Sequence, residues 1–250
     1  AAQSIEPDGL ELAFWGDVPP EAGLSSSAAF SVSAAMLVSA LVGKTWDDKV
    51  ALAKLAQAAE HRTGVLCGLL DQMASAGSTA GSALLLDCRD LSYRRIALDP
   101  HKLAVIVGDT RVKRSLGDGR YNQRRAECEQ AAGAMGVHSL REVSLAELAK
   151  RGAALPETLF RRARHVLTEN ERVHQFAAAL ENGDLAQVGE LINQSHASLR
   201  DDYEVTCPEL NAMAEAFVNA GAYGARMVGA GFGGSAIALV EPAKSEAIIA

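Results

Sequence analysis

A loop of small and hydroxylated residues has the composition of an anion-binding site. It reads Pro19-Pro20-Glu21-Ala22-Gly23-Leu24-Ser25-Ser26-Ser27-Ala28-Ala29 and leads directly into an apolar helical pattern. A glycine lets the backbone approach a ligand closely, and the unpaired N–H groups at a helix N-terminus attract anions. The loop therefore predicts either a phosphate site or the ordinary N-cap of a buried helix, and it lacks the spacing and the lysine of a Walker A loop.

Two carboxylates, Glu60 and Asp71, could work beside such a phosphate site. Glu60 is expected near the end of a helix and Asp71 just past a glycine turn, so both could face one cleft. One carboxylate could then hold Mg²⁺ while the other accepts a proton from an attacking hydroxyl. The same spacing also fits surface acids or helix caps. Asp71 is the more informative of the two, because it stands among apolar residues, where an unpaired carboxylate is costly.

The run Gly229-Ala230-Gly231-Phe232-Gly233-Gly234 is similar to the dinucleotide-binding pattern G-x-G-x-x-G. It precedes a predicted strand and does not open a helix, so the dinucleotide interpretation fails its context test. Two interpretations remain, which are a glycine-rich turn against a ligand and a turn between two closely packed strands.

Five cations lie within fifteen residues, in Arg111-Val112-Lys113-Arg114-Ser115 and Tyr121-Asn122-Gln123-Arg124-Arg125. They could orient an anionic ligand. For Arg124 and Arg125, pairing with Glu127 and Glu129 on a solvated helix face is the better interpretation. Tyr121 could bind a sugar or simply begin a helix.

Composition excludes several classes of function. The net charge of −7 opposes binding to nucleic acid and to anionic membranes, and neither is expected as a partner. The four cysteines are far apart, which fits neither a zinc ribbon nor a disulfide scaffold and predicts reduced thiols in a cytoplasmic protein. The histidines show no metal-ligand spacing, and the G-x-S-x-G elbow of serine hydrolases is absent. The chain begins at Ala1 and ends inside an apolar run, so we expect both ends to be cut from something longer.

The predicted helices and strands follow one another in a mixed order, without regular βαβ units, and this predicts an α+β fold. An approximate domain boundary is expected near Pro100. The helix over 28–42 is apolar on nearly all sides and is expected to be buried. Asp47 is expected to cap the next helix, and Pro156 is suited to the first turn of a long one. The predicted strands cover 10–15, 83–87, 93–98, 103–108, 223–228 and 235–240, and the further helices cover 48–62, 121–135, 156–180, 184–199 and 208–220.

Taken together and in order, these segments resemble the GHMP small-molecule kinases, in their galactokinase version. The likeness covers about Trp15 to Val240. The segments that carry it are the loop 19–29, Cys67-Gly68-Leu69-Leu70-Asp71-Gln72, Asp87-Cys88-Arg89, the segment 121–125, the segment 198–205 and the run from Met227 to Gly234.

The resemblance implies a two-domain α+β fold. Residues 1–100 would form the N-terminal, ATP-binding domain, a mixed sheet with helices that lacks its first part. Residues 101–250 would form a C-terminal ferredoxin-like α/β sandwich, truncated at its end. The expected activity is ATP-dependent phosphorylation of galactose at its anomeric hydroxyl, in a cytoplasmic monomer.

The resemblance also implies the site residues, which are carried over by position. Asp71 would be the catalytic carboxylate, and Mg²⁺ would be held by Glu60 and Ser27, with Ser26 as the alternative to Ser27. ATP would be bound by Gly23, Leu24, Ser25, Ser26, Ser27, Gly231 and Gly233, and galactose by Cys67, Gly68, Asp71 and Tyr121.

One departure from the family pattern matters for activity. The N-terminal galactose signature, with an arginine near the catalytic aspartate, is not in this chain, so we expect the isolated chain to be a damaged or inactive kinase. Two other functions stay open. One is a kinase for another sugar, such as N-acetylgalactosamine or arabinose. The other is a non-catalytic sensor of galactose and ATP, but such sensors have a shortened serine loop, and the complete stretch from Ser25 to Ala29 favours an enzyme.

Overall fold

A computed structural model describes residues 11–20, 22–63, 67–112 and 119–249. The described residues up to Arg95 form one compact unit, and those from Ile96 onwards form a second. Both helices and strands are present without βαβ alternation, which confirms the predicted α+β class. The helices are α1 (Ser26–Leu41), α2 (Lys49–His61), α3 (Leu70–Gly77), α4 (Arg120–Ala134), α5 (Leu145–Arg151), α6 (Glu157–Asn182), α7 (Leu185–Asp201), α8 (Pro208–Asn219) and α9 (Ser245–Ile249), and the strands are β1 (Ser82–Leu86), β2 (Tyr93–Ala97), β3 (Ala104–Asp109), β4 (Gly224–Met227) and β5 (Ser235–Val240).

Three helices, α1, α2 and α3, pack against one another in the first unit. Their shared core contains Val32 from α1 with Leu52 and Ala56 from α2. The cap of α2 is Asp48 and not Asp47 as predicted. Its carboxylate accepts hydrogen bonds from the N–H groups two and three residues further on, at 2.9 and 3.0 Å, which is the reach of an N-cap side chain.

Three expectations for the first unit are wrong within the described residues. The helix α1 is not buried on most sides, since Phe30 is 53% exposed and Leu41 is 54% exposed. Residues 11–15 form no strand and are exposed, because a strand needs a pairing partner for its backbone and none of the described residues supplies one. The expected mixed sheet is not found either, because the sheet seen in this part of the chain has two strands, β1 and β2. Residue 10 lies outside the described residues.

The second unit is built on an antiparallel sheet in the order β3-β5-β4. In the central strand β5, alternate side chains point to opposite faces. Leu239 packs with Val188 of α7 on one face, and Ala238 packs with Ala214 of α8 on the other. Helices therefore cover both faces of the sheet, which explains why a strand as apolar as β5 is buried.

Glycine and proline mark the ends of the helices in the second unit. The helix α8 begins at Pro208 as predicted, and α6 ends before Gly183, which has a φ of 71°. Pro156 is the N-cap of α6 and does not lie in its first turn, because it keeps an extended backbone. The short helix α5, which was not predicted, packs with α4 and α6 around Met135. Among the described residues, no helix is long and apolar enough to span a bilayer.

Candidate active site

The loop 19–29 leads into α1, and the first backbone N–H groups of that helix are available to a ligand. Ser25 holds the N-cap position in a left-handed backbone, with a φ of 61°, and its side chain makes no cap hydrogen bond. The first helical bond runs from the N–H of Ala29 to the carbonyl of Ser25, at 3.1 Å. Within the described residues, the N–H groups of Ser26, Ser27 and Ala28 have no acceptor. A phosphate oxygen could accept hydrogen bonds from these donors at the positive end of the helix.

Glu60 lies buried in the last turn of α2, where it is 8% exposed. Its Oε1 accepts a hydrogen bond of 2.7 Å from Nε2 of Gln72, and the same Nε2 lies 3.3 Å from Sγ of Cys67. The carbonyl of Cys67 accepts a bond of 3.1 Å from Gln57 and lies 3.0 Å from Nε2 of His61. Together these bonds fix the segment that begins at Cys67 against the end of α2.

Asp71 lies in the first turn of α3, where it is exposed. Its expected place among apolar side chains is wrong. Successive residues of a helix are turned by about 100°, so α3 buries Gln72 and Met73 and leaves Leu70 and Asp71 outward. The positive end of the helix dipole favours a negative side chain at this position. An exposed carboxylate can meet a substrate hydroxyl without the desolvation cost that burial would bring.

The first unit thus holds most of the predicted site residues on one three-helix assembly. Gly23, Leu24 and the three serines lie at the start of α1, Glu60 lies at the end of α2, and Cys67, Gly68 and Asp71 lie at or just before α3. Ser27 and Gly68 are exposed, while Cys67 is half-buried. Glu21 and residues 64–66 lie outside the described residues. Tyr121, Gly231 and Gly233 belong to the second unit.

A pocket of about 360 Å³ lies within the second unit, which is within the usual size range for a small-molecule site. Tyr121, in the first turn of α4 and 50% exposed, lines it together with Tyr203, Gly229 and Phe232. Arg120 places its guanidinium carbon 4.3 Å from the ring centroid of Phe232. The pocket is therefore lined by aromatic rings and by residues from three of the segments that the sequence singled out.

The predicted pairing of two α4 cations is confirmed. Arg125 bonds to Glu129 at 2.9 Å, and this hydrogen bond raises the pKa of Arg125. Arg124 contacts Glu127 but is buried, so the solvated-face interpretation holds for Arg125 alone. Of the remaining predicted cations, Lys113 and Arg114 lie outside the described residues.

The glycine-rich turn between β4 and β5 packs directly against backbone atoms of two other segments of the second unit. A Cβ on Gly231, which has a φ of 84°, would lie 2.1 Å from the carbonyl oxygen of Val205. The N–H of Phe232 donates to that same oxygen at 2.7 Å. On the other side, a Cβ on Gly233 would lie 2.5 Å from the carbonyl oxygen of Val112. Close packing alone therefore requires glycine at these positions, and the neighbours are two connecting segments and not two strands.

An ionic network holds the segment on which this turn rests. Arg162 of α6 is 2% exposed and bonds to Glu127 of α4, to the carbonyl of Asp202 and to Glu204, at 2.6, 2.5 and 2.6 Å. Burial opposes the charged form of Glu127, but the hydrogen bonds from Arg162 and Arg124 outweigh it and lower its pKa. The sequence showed Arg162 only as part of a basic stretch, because its partners are distant in the chain.

The donors available for a metal are oxygen atoms. Among the described residues, no group of three or more His, Cys, Asp or Glu side chains could hold an ion by itself. The carboxylate of Glu60 and the hydroxyls of Ser26 and Ser27 are hard donors of the kind that Mg²⁺ prefers. Mg²⁺ commonly takes one or two carboxylates and completes its shell with phosphate and water, so this donor set fits that ion.

Comparison with known proteins gives two matches to family models. The GHMP kinases N terminal domain matches residues 1–79, and the GHMP kinases C terminal model matches residues 176–250. The galactokinase of Roseiflexus sp. (strain RS-1) is 46% identical over 95% of this chain and 62% of its own length. The galactokinase of Homo sapiens is 43% identical over 93% of this chain and 60% of its own length. The chain thus spans about three fifths of the length of these relatives.

Solved structures show the same likeness. Lactococcus lactis galactokinase complexed with galactose superposes with a TM-score of 0.86 and 39% identity, over 93% of this chain and 62% of that one. Mevalonate kinase of L. major, in complex with R-mevalonate, superposes with a TM-score of 0.61 at 21% identity, over 90% of this chain and 60% of that one, which shows a shared fold alone.

Proposed function

The chain belongs to the GHMP kinase family, and we propose that its activity is that of a galactokinase, the ATP-dependent phosphorylation of galactose to galactose 1-phosphate. The observation that carries this proposal is the identity of 43–46% to galactokinases over more than nine tenths of the chain. The L. lactis galactokinase, which resembles this chain in fold, binds galactose. Because the chain spans less than two thirds of these relatives, the activity is proposed for the natural protein that contains it.

The loop at the start of α1 is proposed to bind the phosphates of ATP. Gly23, Leu24 and Ser25 would shape the loop, and the N–H groups of Ser26 and Ser27 would donate to phosphate oxygens. The free donors and the helix dipole would act locally against the net negative charge of the protein. Gly231 and Gly233 are proposed to present the backbone of their turn to the nucleotide, while their internal packing keeps that turn rigid.

Asp71 is proposed as the general base. Its carboxylate would accept the proton of the anomeric hydroxyl as that oxygen attacks the γ-phosphorus, and the bond between γ-phosphorus and the bridging oxygen would break to release ADP. Phosphoryl transfer depends chiefly on positioning and charge neutralisation, so the proton can be accepted by one exposed carboxylate on a fixed helix turn. Cys67, Gly68 and Tyr121, together with Asp71, are proposed to contact the sugar.

Glu60 and Ser27, with Ser26 as the alternative, are proposed to hold Mg²⁺. When bound, the ion would neutralise charge on the phosphates. We also propose that residues 1–100 and 101–250 are the two family domains, and that the protein is a cytoplasmic monomer. The resemblance supports these statements, and the lack of a disulfide among the cysteines of the described residues fits a reducing compartment.

A substrate panel tests the proposed activity. The natural protein containing this chain should phosphorylate galactose with ATP much faster than N-acetylgalactosamine, arabinose or mevalonate, as followed by ADP release and by ³¹P NMR of the product. A preference for another sugar would replace galactose as the substrate. Binding of galactose and ATP without turnover would indicate a sensor and would overturn the proposal.

A further inference from the structure

We propose that Gln72 is a positioning residue that holds the carboxylate of Glu60 in the orientation needed for a divalent cation, an inference that rests on the proposed function. Gln72 is 1% exposed and lies on α3, while Glu60 is on α2. The bond between them, 2.7 Å from Nε2 to Oε1, joins the two helices across twelve positions of sequence. It fixes one carboxylate oxygen and with it the plane of the group.

Chemistry dictates which end of the Gln72 amide faces Glu60. An ionised carboxylate only accepts hydrogen bonds, so the NH₂ group must point to it. The same nitrogen lies 3.3 Å from Sγ of Cys67, a weak acceptor. Both amide hydrogens thus point towards residues that the proposed function places in the site, one at the metal and one at the sugar.

The other end of the Gln72 amide gains nothing from its burial. Oε1 of Gln72 is buried and has no hydrogen-bond partner within the described residues. An unsatisfied buried acceptor is unfavourable for folding, and an apolar side chain of similar size would avoid it. The advantage of glutamine over such a side chain therefore lies in its NH₂ group, which both satisfies and orients the buried carboxylate of Glu60.

Gln72 also sets the direction of its neighbour. Since consecutive helix residues are turned by about 100°, anchoring Gln72 inward against Glu60 leaves Asp71 outward. Partners that orient metal ligands typically contribute 10–100-fold to metal affinity or activity. The Gln72 amide is placed to act in this way on Glu60.

Gln57 supplies a matched control. It is also a glutamine whose Nε2 bonds to Cys67, at 3.1 Å, but the bond goes to the backbone carbonyl and Gln57 makes no hydrogen bond to Glu60. Gln72→Met and Gln57→Met, made in the natural protein containing this chain, therefore separate the orientation of Glu60 from the tethering of Cys67.

The test is Mn²⁺ binding in the presence of a non-hydrolysable ATP analogue, measured by electron paramagnetic resonance, with the Mg²⁺ activation constant as a second readout. Gln72→Met should weaken Mn²⁺ binding about tenfold, while Gln57→Met leaves it unchanged. In a Glu60→Ala background, Gln72→Met should have no further effect, because the residue it orients is gone.

Equal Mn²⁺ affinities for Gln72→Met and Gln57→Met would overturn the proposal, as would a full additional loss in the Glu60→Ala background. Thermal unfolding shows whether Gln72→Met is folded. If it is not, Gln72→Asn takes its place, since it keeps an amide that is one methylene too short to reach Glu60. Because nucleotide and Mn²⁺ binding need no sugar, the result stands apart from the substrate panel: a protein inactive on galactose could still show the Gln72 effect.

Discussion

Replacing Gly231 by alanine should destabilise the second unit through a collision that the structure defines. The added Cβ would lie 2.1 Å from the carbonyl oxygen of Val205, and this oxygen belongs to the backbone, so it cannot rotate away. The same oxygen accepts the 2.7 Å bond from the N–H of Phe232, which any backbone shift would weaken. The positive φ of 84° adds a second penalty for a residue with a Cβ.

These two effects have separable magnitudes. A left-handed backbone costs a non-glycine residue about 1–2 kcal/mol, and overpacking costs about 1–3 kcal/mol. Gly231→Ala should therefore lower the free energy of unfolding by about 2–5 kcal/mol. Gly183 is the matched control, since it has a φ of 71° but a Cβ added there would meet nothing within 4 Å. Gly183→Ala should cost the backbone penalty alone, about 1–2 kcal/mol.

Urea denaturation of both variants, followed by circular dichroism, measures the difference. We expect a clearly lower midpoint for Gly231→Ala than for Gly183→Ala. Equal midpoints would refute the packing argument. The role of Gly231 would then have to lie in ligand contact alone.

Three further predictions concern buried or coordinating side chains. Arg162→Met should lower the free energy of unfolding by about 1–3 kcal/mol, since it removes hydrogen bonds to Glu127, to Glu204 and to the carbonyl of Asp202, while Arg124 remains as a partner of Glu127. Arg125→Met on the surface should change stability little, and similar losses for both variants would contradict this. Burial lowers the pKa of His165 to about 4. Below about pH 6.5 the unfolded chain therefore binds a proton that the folded chain does not, and unfolding free energy should fall by up to about 1.4 kcal/mol per unit down to about pH 4. Urea denaturation at pH 7 and pH 5 should show a steeper loss of stability in the wild type than in His165→Gln, which keeps the contribution of His196, whose pKa burial also lowers. Glu60→Ala should raise the Mg²⁺ concentration needed for half-maximal activity, and an unchanged requirement would leave Glu60 with a structural role only.

Residues that act on the local backbone made parts of the fold predictable. Pro208 begins α8 where predicted, because proline fixes φ and needs no donor at a first helical position. The strand β5 was predicted with its observed bounds, because Ser235–Val240 is an apolar run bounded by glycine. The helix α3 was missed, since its eight residues are fewer than the window over which a helical period is visible.

Contacts between distant residues could not be predicted in the same way. The exposure of Phe30 depends on which other segment packs on α1, and local apolarity carries no such information. The burial of Asp71 was inferred from its neighbours in sequence, but helix geometry turns those neighbours to another face. Gln72 was visible only as the residue after Asp71, because its bond to Glu60 appears once α2 and α3 are packed.

The most direct test of the account is Asp71→Asn in the natural protein containing this chain. Asp71 is exposed, so the substitution should lower the free energy of unfolding only by the helix-dipole contribution of about 0.3–1 kcal/mol and should keep ATP binding, as measured by isothermal titration calorimetry. Galactose 1-phosphate formation, followed by ³¹P NMR, should be abolished, because the amide cannot accept the hydroxyl proton. Turnover at the wild-type rate with ATP binding intact would contradict the assignment of Asp71 as the base.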